Sequence, residues 1–420
     1  MFQTVTTRVM KKLMEKIRDY ASVFKGNVAV LTVTWLLFSM AHALTFPYYS
    51  LYIKMLGGED IHIALVRSIN SIASLPLLPL GGFIADKYGR RRLVIVFTWI
   101  ISIITFLYGL APDWKILIII GSIDSFLHFY VPALHAILID SLDPMERAKG
   151  TMLTNFIANL PWYVVPIIGG WIVDEYGVMG MRISYIAGGM ISICAAITRT
   201  LFLTETHKTI PPKESITIML KESYIGSIRR LKILPKTITY IIVENMLIFQ
   251  LSIMPLSLYG VVYSTEILKI PAQTFGLLNS LSTVASGLAA ILTAGRIDKY
   301  PRVKVILYLV LVNIVSYAPF VIYPSLISLS AYYLVSSFTM SISMGVYEAY
   351  IGDLVPREHR ATVNSLINIS WSVGSIIAST ISGILYSIEP RVAFTASLVS
   401  MVIDLFYIRA FYKEPRIIHK

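Results

Sequence analysis

Apolar runs of about twenty residues recur along the whole of this 420-residue chain. Each is long enough to cross roughly 30 Å of hydrocarbon as a helix. They lie at 28–53, 63–85, 93–111, 115–139, 151–173, 182–203, 238–263, 274–295, 304–323, 325–352, 362–387 and 391–412. Lipid offers the backbone no hydrogen-bond partner, so such a run satisfies its own N–H and C=O groups by coiling into an α-helix. Only 14% of the residues are charged and the mean hydropathy is +0.70, whereas a soluble domain carries roughly one quarter charged residues. The chain therefore reads as an all-α, multi-pass protein of the cell membrane with twelve spans.

Charge placement orients the spans. With both termini cytoplasmic, the cytoplasmic tails, loops and flanks hold 30 of the 36 Lys and Arg; Lys54, Arg67, Lys115, Arg182, Lys269 and Arg391 fall on the other side. That bias is the one the positive-inside rule expects. The net charge of +12 then faces anionic lipid and calls for no nucleic-acid partner. Residues 1–26 form a basic N-terminal segment, read as a solvated tail or as a surface helix presenting Leu13, Ile17 and Tyr20. No small-residue cleavage site follows the first span, so a cleaved signal peptide is not expected. The single cysteine, Cys194, lies within a span and reads as a packing residue.

The two halves echo each other. After the second run comes Gly82-Phe-Ile-Ala-Asp86-Lys-Tyr-Gly89-Arg90-Arg91-Arg92, and after the eighth comes Asp298-Lys-Tyr-Pro-Arg302-Val-Lys304. After the fourth, Asp140 and Arg147 stand seven apart, as do Asp353 and Arg360 after the tenth. The offsets are 212 and 213 residues. Two motif pairs at one offset indicate a duplicated six-helix unit, a plan that secondary transporters build around a midplane site. The units are 27–203 and 238–412, joined by a polar linker at 204–237 with a short helix expected near 216–231, and followed by a tail at 413–420.

On these strings, the helix count and the half-repeat, the chain resembles the major facilitator superfamily over nearly its full length. The resemblance implies two pseudo-symmetric six-helix bundles around a central cavity lined by helices 1, 4, 7 and 10, which is exposed to each side in turn. It also implies that Asp86 latches onto the start of helix 11, near Arg360, and by pseudo-symmetry that Asp298 meets the start of helix 5, near Lys149–Thr151. A carboxylate at a helix N-terminus gains roughly 0.3–2 kcal/mol, and Arg90 and Arg91 stand close enough to bond Asp86. Anchoring of topology by the basic neighbours is the plainer alternative. In the second copy Pro301 replaces a glycine and Val303 an arginine, so its latch is expected to be the weaker one.

An ionisable residue inside a span costs about 2.5–3.5 kcal/mol or more and is a functional candidate by default. In the fourth run Asp124, His128 and His135 stand at i, i+4 and i+11, within about 40° of one helical face. Asp124–His128 is the candidate for proton coupling or substrate contact; a self-satisfied polar pair between helices is the alternative. His135 and its repeat counterpart Glu348 are gate candidates. Trp35, Ser39, His42, Phe46 and Tyr49 make an aromatic stripe on helix 1, which is packing unless that helix lines a cavity. Glu244 in helix 7 is a plausible proton or cation site, and Asp404 in helix 12 reads as structural. Asn155, Asn159, Asn364 and Asn368 suit interhelical hydrogen bonds at the gate.

Drug-efflux members of the family carry an arginine early in helix 4, where this chain has Ile120. They also carry a glycine string in helix 5, of which Pro166, Gly169 and Gly170 survive while Pro161 replaces a glycine. The expected function is proton-coupled export of hydrophobic or cationic compounds by a monomer. The alternative is uptake of a small solute such as a sugar or organic acid. No arginine is expected mid-cavity to grip a carboxylate. An intramembrane enzyme is the remote alternative, since neither HExxH nor GxSxG occurs; no cofactor or metal is expected.

Overall fold

The computed structural model describes residues 23–75, 84, 89–206, 234–293, 295–356 and 359–415. Asp86, residues 1–22 of the basic N-terminal segment and the linker helix lie outside these residues, as does the side chain of Asp298.

Every regular element among the described residues is helical. In the first half the helices are α1 (Gly26–Thr45), α2 (Tyr49–Met55), α3 (Asp60–Ser74), α4 (Arg90–Gly109), α5 (Trp114–Leu127), α6 (Val131–Asp140), α7 (Arg147–Asn159) and α8 (Val165–Phe202). In the second they are α9 (Lys236–Glu244), α10 (Gln250–Val262), α11 (Ala272–Thr293), α12 (Arg302–Ile322), α13 (Leu326–Leu354), α14 (Arg360–Ile388) and α15 (Pro390–Phe411). Among the described residues ten continuous helical segments are long and apolar enough to cross a membrane. Helix α3 is the described part of the second apolar run.

One of the ten, Arg147–Phe202, has 56 residues and would span about 84 Å if straight. It turns back at Gly177, where φ is 55° and ψ −129°, a conformation that glycine alone adopts readily. Hydrogen bonds give the direction of each arm. Thr32 donates to Thr154 and Tyr48 to the Pro166 carbonyl, so the first arm runs parallel to α1. Arg199 donates to Thr34 and Gly188 faces Ala41, so the second arm is antiparallel. These arms are the fifth and sixth apolar runs.

Three membrane-spanning stretches are interrupted by a 3₁₀ turn with a proline in or just after it: Phe46–Tyr48, His128–Tyr130 and Leu160–Tyr163. Proline removes a backbone donor and crowds the preceding turn, so the first, fourth and fifth apolar runs bend along their length. The repeat also explains its own departure from symmetry. Gly89 enters α4 with φ of 89°, whereas Pro301 enters α12 with φ of −59°; the first entry needs glycine, and the second suits proline.

The core is split at one end only. A single apolar cluster joins both halves at the end remote from the arginines, with Tyr48, Tyr52 and Ile53 packed in the same core as Tyr259, Phe275 and Phe394. At the basic end there are two separate cores, one around Leu31, Val94 and Ile137 and one around Ile238, Ile306 and Tyr350. The halves therefore share a floor and diverge above it. Cys194 departs from expectation. It is exposed on the outer surface of α8, because the turn at Gly177 sets the inward face of that helix with Gly188, Ser192 and Arg199.

Candidate functional site

The floor is sealed by small residues and backbone polarity. Gly170 lies against the Ala272 carbonyl and Gly276 against the Pro166 carbonyl, so no side chain fits at either position. The Asp174 carboxylate accepts from the Ala272 and Gln273 N–H groups, both at 2.8 Å, and so caps α11 from the opposite half. Ser68 meets Thr380 at 3.2 Å and Ser71 meets Ser375 at 3.5 Å, joining α3 to α14. Lys54 bridges Asp60 at 2.6 Å and Glu266 at 3.3 Å.

Above this floor lies a cavity of about 1790 Å³ between the halves, reaching to Gly352 and Arg360 at the basic end. His42, Phe46, Asp124, Glu244 and Glu348 all line it. So do Asn155, Asn159, Asn364 and Asn368, although the Asn159 amide donates to the Asn155 carbonyl of its own helix at 2.8 Å instead of crossing between helices.

Asp124 sits on the wall of the first half. Tyr108 donates to it at 3.3 Å, and the His128 ring nitrogen Nδ1 stands 3.6 Å from one carboxylate oxygen and 2.7 Å from the Asp124 carbonyl. His42, on α1, faces the same pair. The 3₁₀ turn at His128 breaks the regular winding of this span, so Asp124 reaches the cavity while His128 and His135 are not among its lining residues. His135 instead packs on the Trp35 ring, with centroids 5.4 Å apart, and Trp35 does not line the cavity.

Two expectations need correction. Arg67, placed by sequence on the outer flank, lines the cavity beside Asn70 and Tyr49, because α3 begins at Asp60 and carries residue 67 two turns inward. Asp404 is not a peripheral residue of the last span. It is buried against Glu244 on the cavity wall of the second half. Arg199 escaped notice because a lone arginine near a helix end looks like a topology anchor. It is fully buried, donating to Thr34 at 3.0 Å and Thr98 at 2.8 Å, with its guanidinium 5.1 Å from the centre of the Phe38 ring.

At the basic end Arg90 pairs with Asp140 at 2.6 Å and Arg302 with Asp353 at 3.5 Å. Arg91 bonds the end of α8, its Nε donating to the Leu203 carbonyl at 2.6 Å and its backbone N–H to Glu205 at 2.9 Å. Arg360 donates to the Gly352 and Val355 carbonyls at 2.8 and 3.3 Å, at the end of α13. Arg147 is exposed in the first turn of α7.

Two helical halves that share a floor and enclose a polar-studded cavity in a membrane chain define a solute carrier. The chain belongs to the Major Facilitator Superfamily, whose sequence profile matches residues 30–264 and again 246–419, a family of transporters and not of enzymes. It is 25% identical over 280 residues to the multidrug resistance protein MdtG of Citrobacter koseri, covering 64% of this chain and 65% of that one. To MdtG of Serratia proteamaculans it is 26% identical over 313 residues, covering 70% and 71%. The chain thus spans about two thirds of the length of these relatives. Among solved structures, a mutant of the nucleoside transporter NupG superposes with a TM-score of 0.75 at 15% identity, covering 92% of this chain and all of that one. A bacterial Spinster homologue in an inward-facing state gives 0.72 at 15% identity, covering 92% and 97%. At such identities the likeness is one of fold.

Proposed function

We propose that this carrier has twelve spans with both termini cytoplasmic, and that it exports hydrophobic or cationic small molecules in exchange for protons by alternating access. The observation that carries the reading is Asp124, an acid on the cavity wall of the first half, with Tyr49, Phe46 and Tyr108 on the same lining. A carboxylate there attracts an organic cation, and the aromatic faces add cation–π attraction. A proton and a cation then compete for one negative charge, which is the minimal device for antiport. The distant likeness to MdtG proteins supports the same direction. The shared floor and the divided cores at the basic end fit a cytoplasm-facing state, and the Asp86 and Asp298 strings are proposed as latches of the opposite state.

The test is ethidium accumulation in proteoliposomes under an imposed pH gradient, comparing the wild type with Asp124→Asn. Accumulation is expected to collapse in the variant; accumulation that survives there removes Asp124 from the coupling role. A second reading, uptake of a small solute such as a sugar or organic acid, draws on Arg67, whose guanidinium faces the same cavity. Competition of ethidium transport by an organic anion instead of by organic cations would favour it.

A further inference from the structure

The acids of the second half are held together by the register of two helices. In the antiparallel pair formed by the first and last helical runs of that half, the Ser400 hydroxyl of α15 donates to the Ile248 carbonyl at 2.8 Å, and Ser397 donates to Ser252. One turn further toward the basic end, position 400 + 4 on one helix meets 248 − 4 on the other. Those positions are Asp404 and Glu244, and their carboxyls lie within hydrogen-bonding reach of each other. Glu244 closes α9 immediately before a π turn at Asn245–Phe249, a distortion that often marks functional sites.

Both side chains are buried in protein, yet the pair lies on the cavity wall. Glu244 is 0% and Asp404 3% exposed. Tyr412 donates to Glu244 at 2.9 Å and Tyr347 at 3.3 Å. One Asp404 oxygen, Oδ1, is buried without a hydrogen-bond donor. The titratable groups facing the pair are all phenols: Tyr347 of α13, Tyr407 of α15 with Tyr240 of α9 behind it, and Tyr412 beyond α15. Helix α14 packs Gly374 on the Asn245 carbonyl, and its titratable side chains, Arg360 and Tyr386, lie at its two ends. Among the described residues no cation pairs with either acid, and two bare carboxylates in contact repel by several kcal/mol in such a medium. A carboxylic acid donating to a carboxylate meets the same geometry without that repulsion and supplies the missing donor.

We propose that Glu244 and Asp404 together form a single proton-binding site, one proton shared between two carboxyls, that loads and unloads through the cavity and is separate from Asp124. Unloading sends the proton to cavity water and leaves a second negative charge on the wall. A cation entering the cavity offsets that charge, so proton release and cation entry favour each other. This last step rests on the efflux reading; the proton site itself does not.

Infrared titration of the full chain in lipid nanodiscs, with no transport substrate added, tests the site directly. A protonated-carboxyl band persisting at pH 7, where free Asp and Glu are ionised, is expected in the wild type and in Asp124→Asn. It is expected to be lost in the double variant Glu244→Gln/Asp404→Asn, and to shift in frequency in Tyr412→Phe, which removes one donor and perturbs folding least. A wild type without the band, or a double variant that keeps it, overturns the proposal. A band abolished by sodium at constant pH assigns the site to a metal ion and overturns it equally. Failure of ethidium transport alone would sink the efflux reading and leave this band untouched.

Discussion

The Arg90 guanidinium reaches the Asp140 carboxylate across 2.6 Å, and 212 and 213 residues later Arg302 reaches Asp353 in the same way at 3.5 Å. Each pair ties the start of one span to the end of the next within one half. The duplication read from the strings is thus a duplication of contacts, tighter in the first copy. Partly exposed pairs contribute no more than about 1 kcal/mol to stability. Arg90→Ala should therefore leave the melting temperature almost unchanged and slow transport, and the swap Arg90→Asp/Asp140→Arg should recover part of that rate. No recovery in the swap would show that the pair acts through other partners.

Asp174 is one of the carboxylates that join the two halves at the closed end. Asp174→Ala removes the exposed carboxylate that caps the first turn of α11, and loss of such a cap costs about 0.5–2 kcal/mol. The expected result is a shift of roughly two- to thirtyfold toward states open at that end, since about 1.4 kcal/mol corresponds to tenfold. Spin labels flanking residues 174 and 272, in a background where the exposed Cys194 is replaced by Ser, read the distance. An unchanged distance distribution would mean that the glycine seam alone holds the floor.

The seam itself is tested at Gly276. A methyl group there meets the Pro166 carbonyl, and overpacking of this kind costs about 1–3 kcal/mol. Gly276→Ala should also favour opening at the floor, and it should add little to Asp174→Ala if both act on one interface. Fully additive shifts would show two independent contacts.

Arg199 is buried with one terminal nitrogen lacking an acceptor. Replacing a buried charge by an apolar side chain of similar volume is often neutral or stabilising, whereas truncation leaves a cavity. Arg199→Met should unfold within about 1.5 kcal/mol of the wild type, and Arg199→Ala should lose about 2 kcal/mol or more. Thermal unfolding followed by tryptophan fluorescence distinguishes them. Equal, large losses in both would show that the guanidinium charge itself holds the α1–α4–α8 contact.

The pH dependence of cation binding follows from Asp124. Proton and cation compete for the Asp124 charge in this reading, so ethidium binding by the wild type should weaken as pH falls. In Asp124→Asn that competition is lost, and the slope should be markedly shallower. Fluorescence titration at several pH values measures both, and identical slopes would exclude Asp124 from the cation site.

Much of this protein is legible without coordinates. Hydropathy alone marks the spans, because a backbone in lipid has few alternatives to the helix. The recurrence of Asp140 and Arg147 as Asp353 and Arg360 reveals the duplication, because a copied chain keeps its spacing. The placing of Asp124 on the cavity wall was readable because helix 4 in this family faces the cavity. Helical projection puts His128 on the face of Asp124, yet only Asp124 is among the lining residues, since the turn at His128–Tyr130 interrupts the regular winding that projection assumes.

The chain order by itself determined the membrane class, the two-fold plan and the set of charged residues that lipid would not tolerate unexplained. Which of those charges meet was decided only by tertiary structure. Glu244 and Asp404 are 160 positions apart, and nothing local links them; a serine bonded to a carbonyl one turn away sets the register that brings them together. Arg67 turned inward, and Asp174 crossed to α11, for the same reason. Periodicity tells which side of a helix a residue is on, whereas packing between helices decides what that side faces.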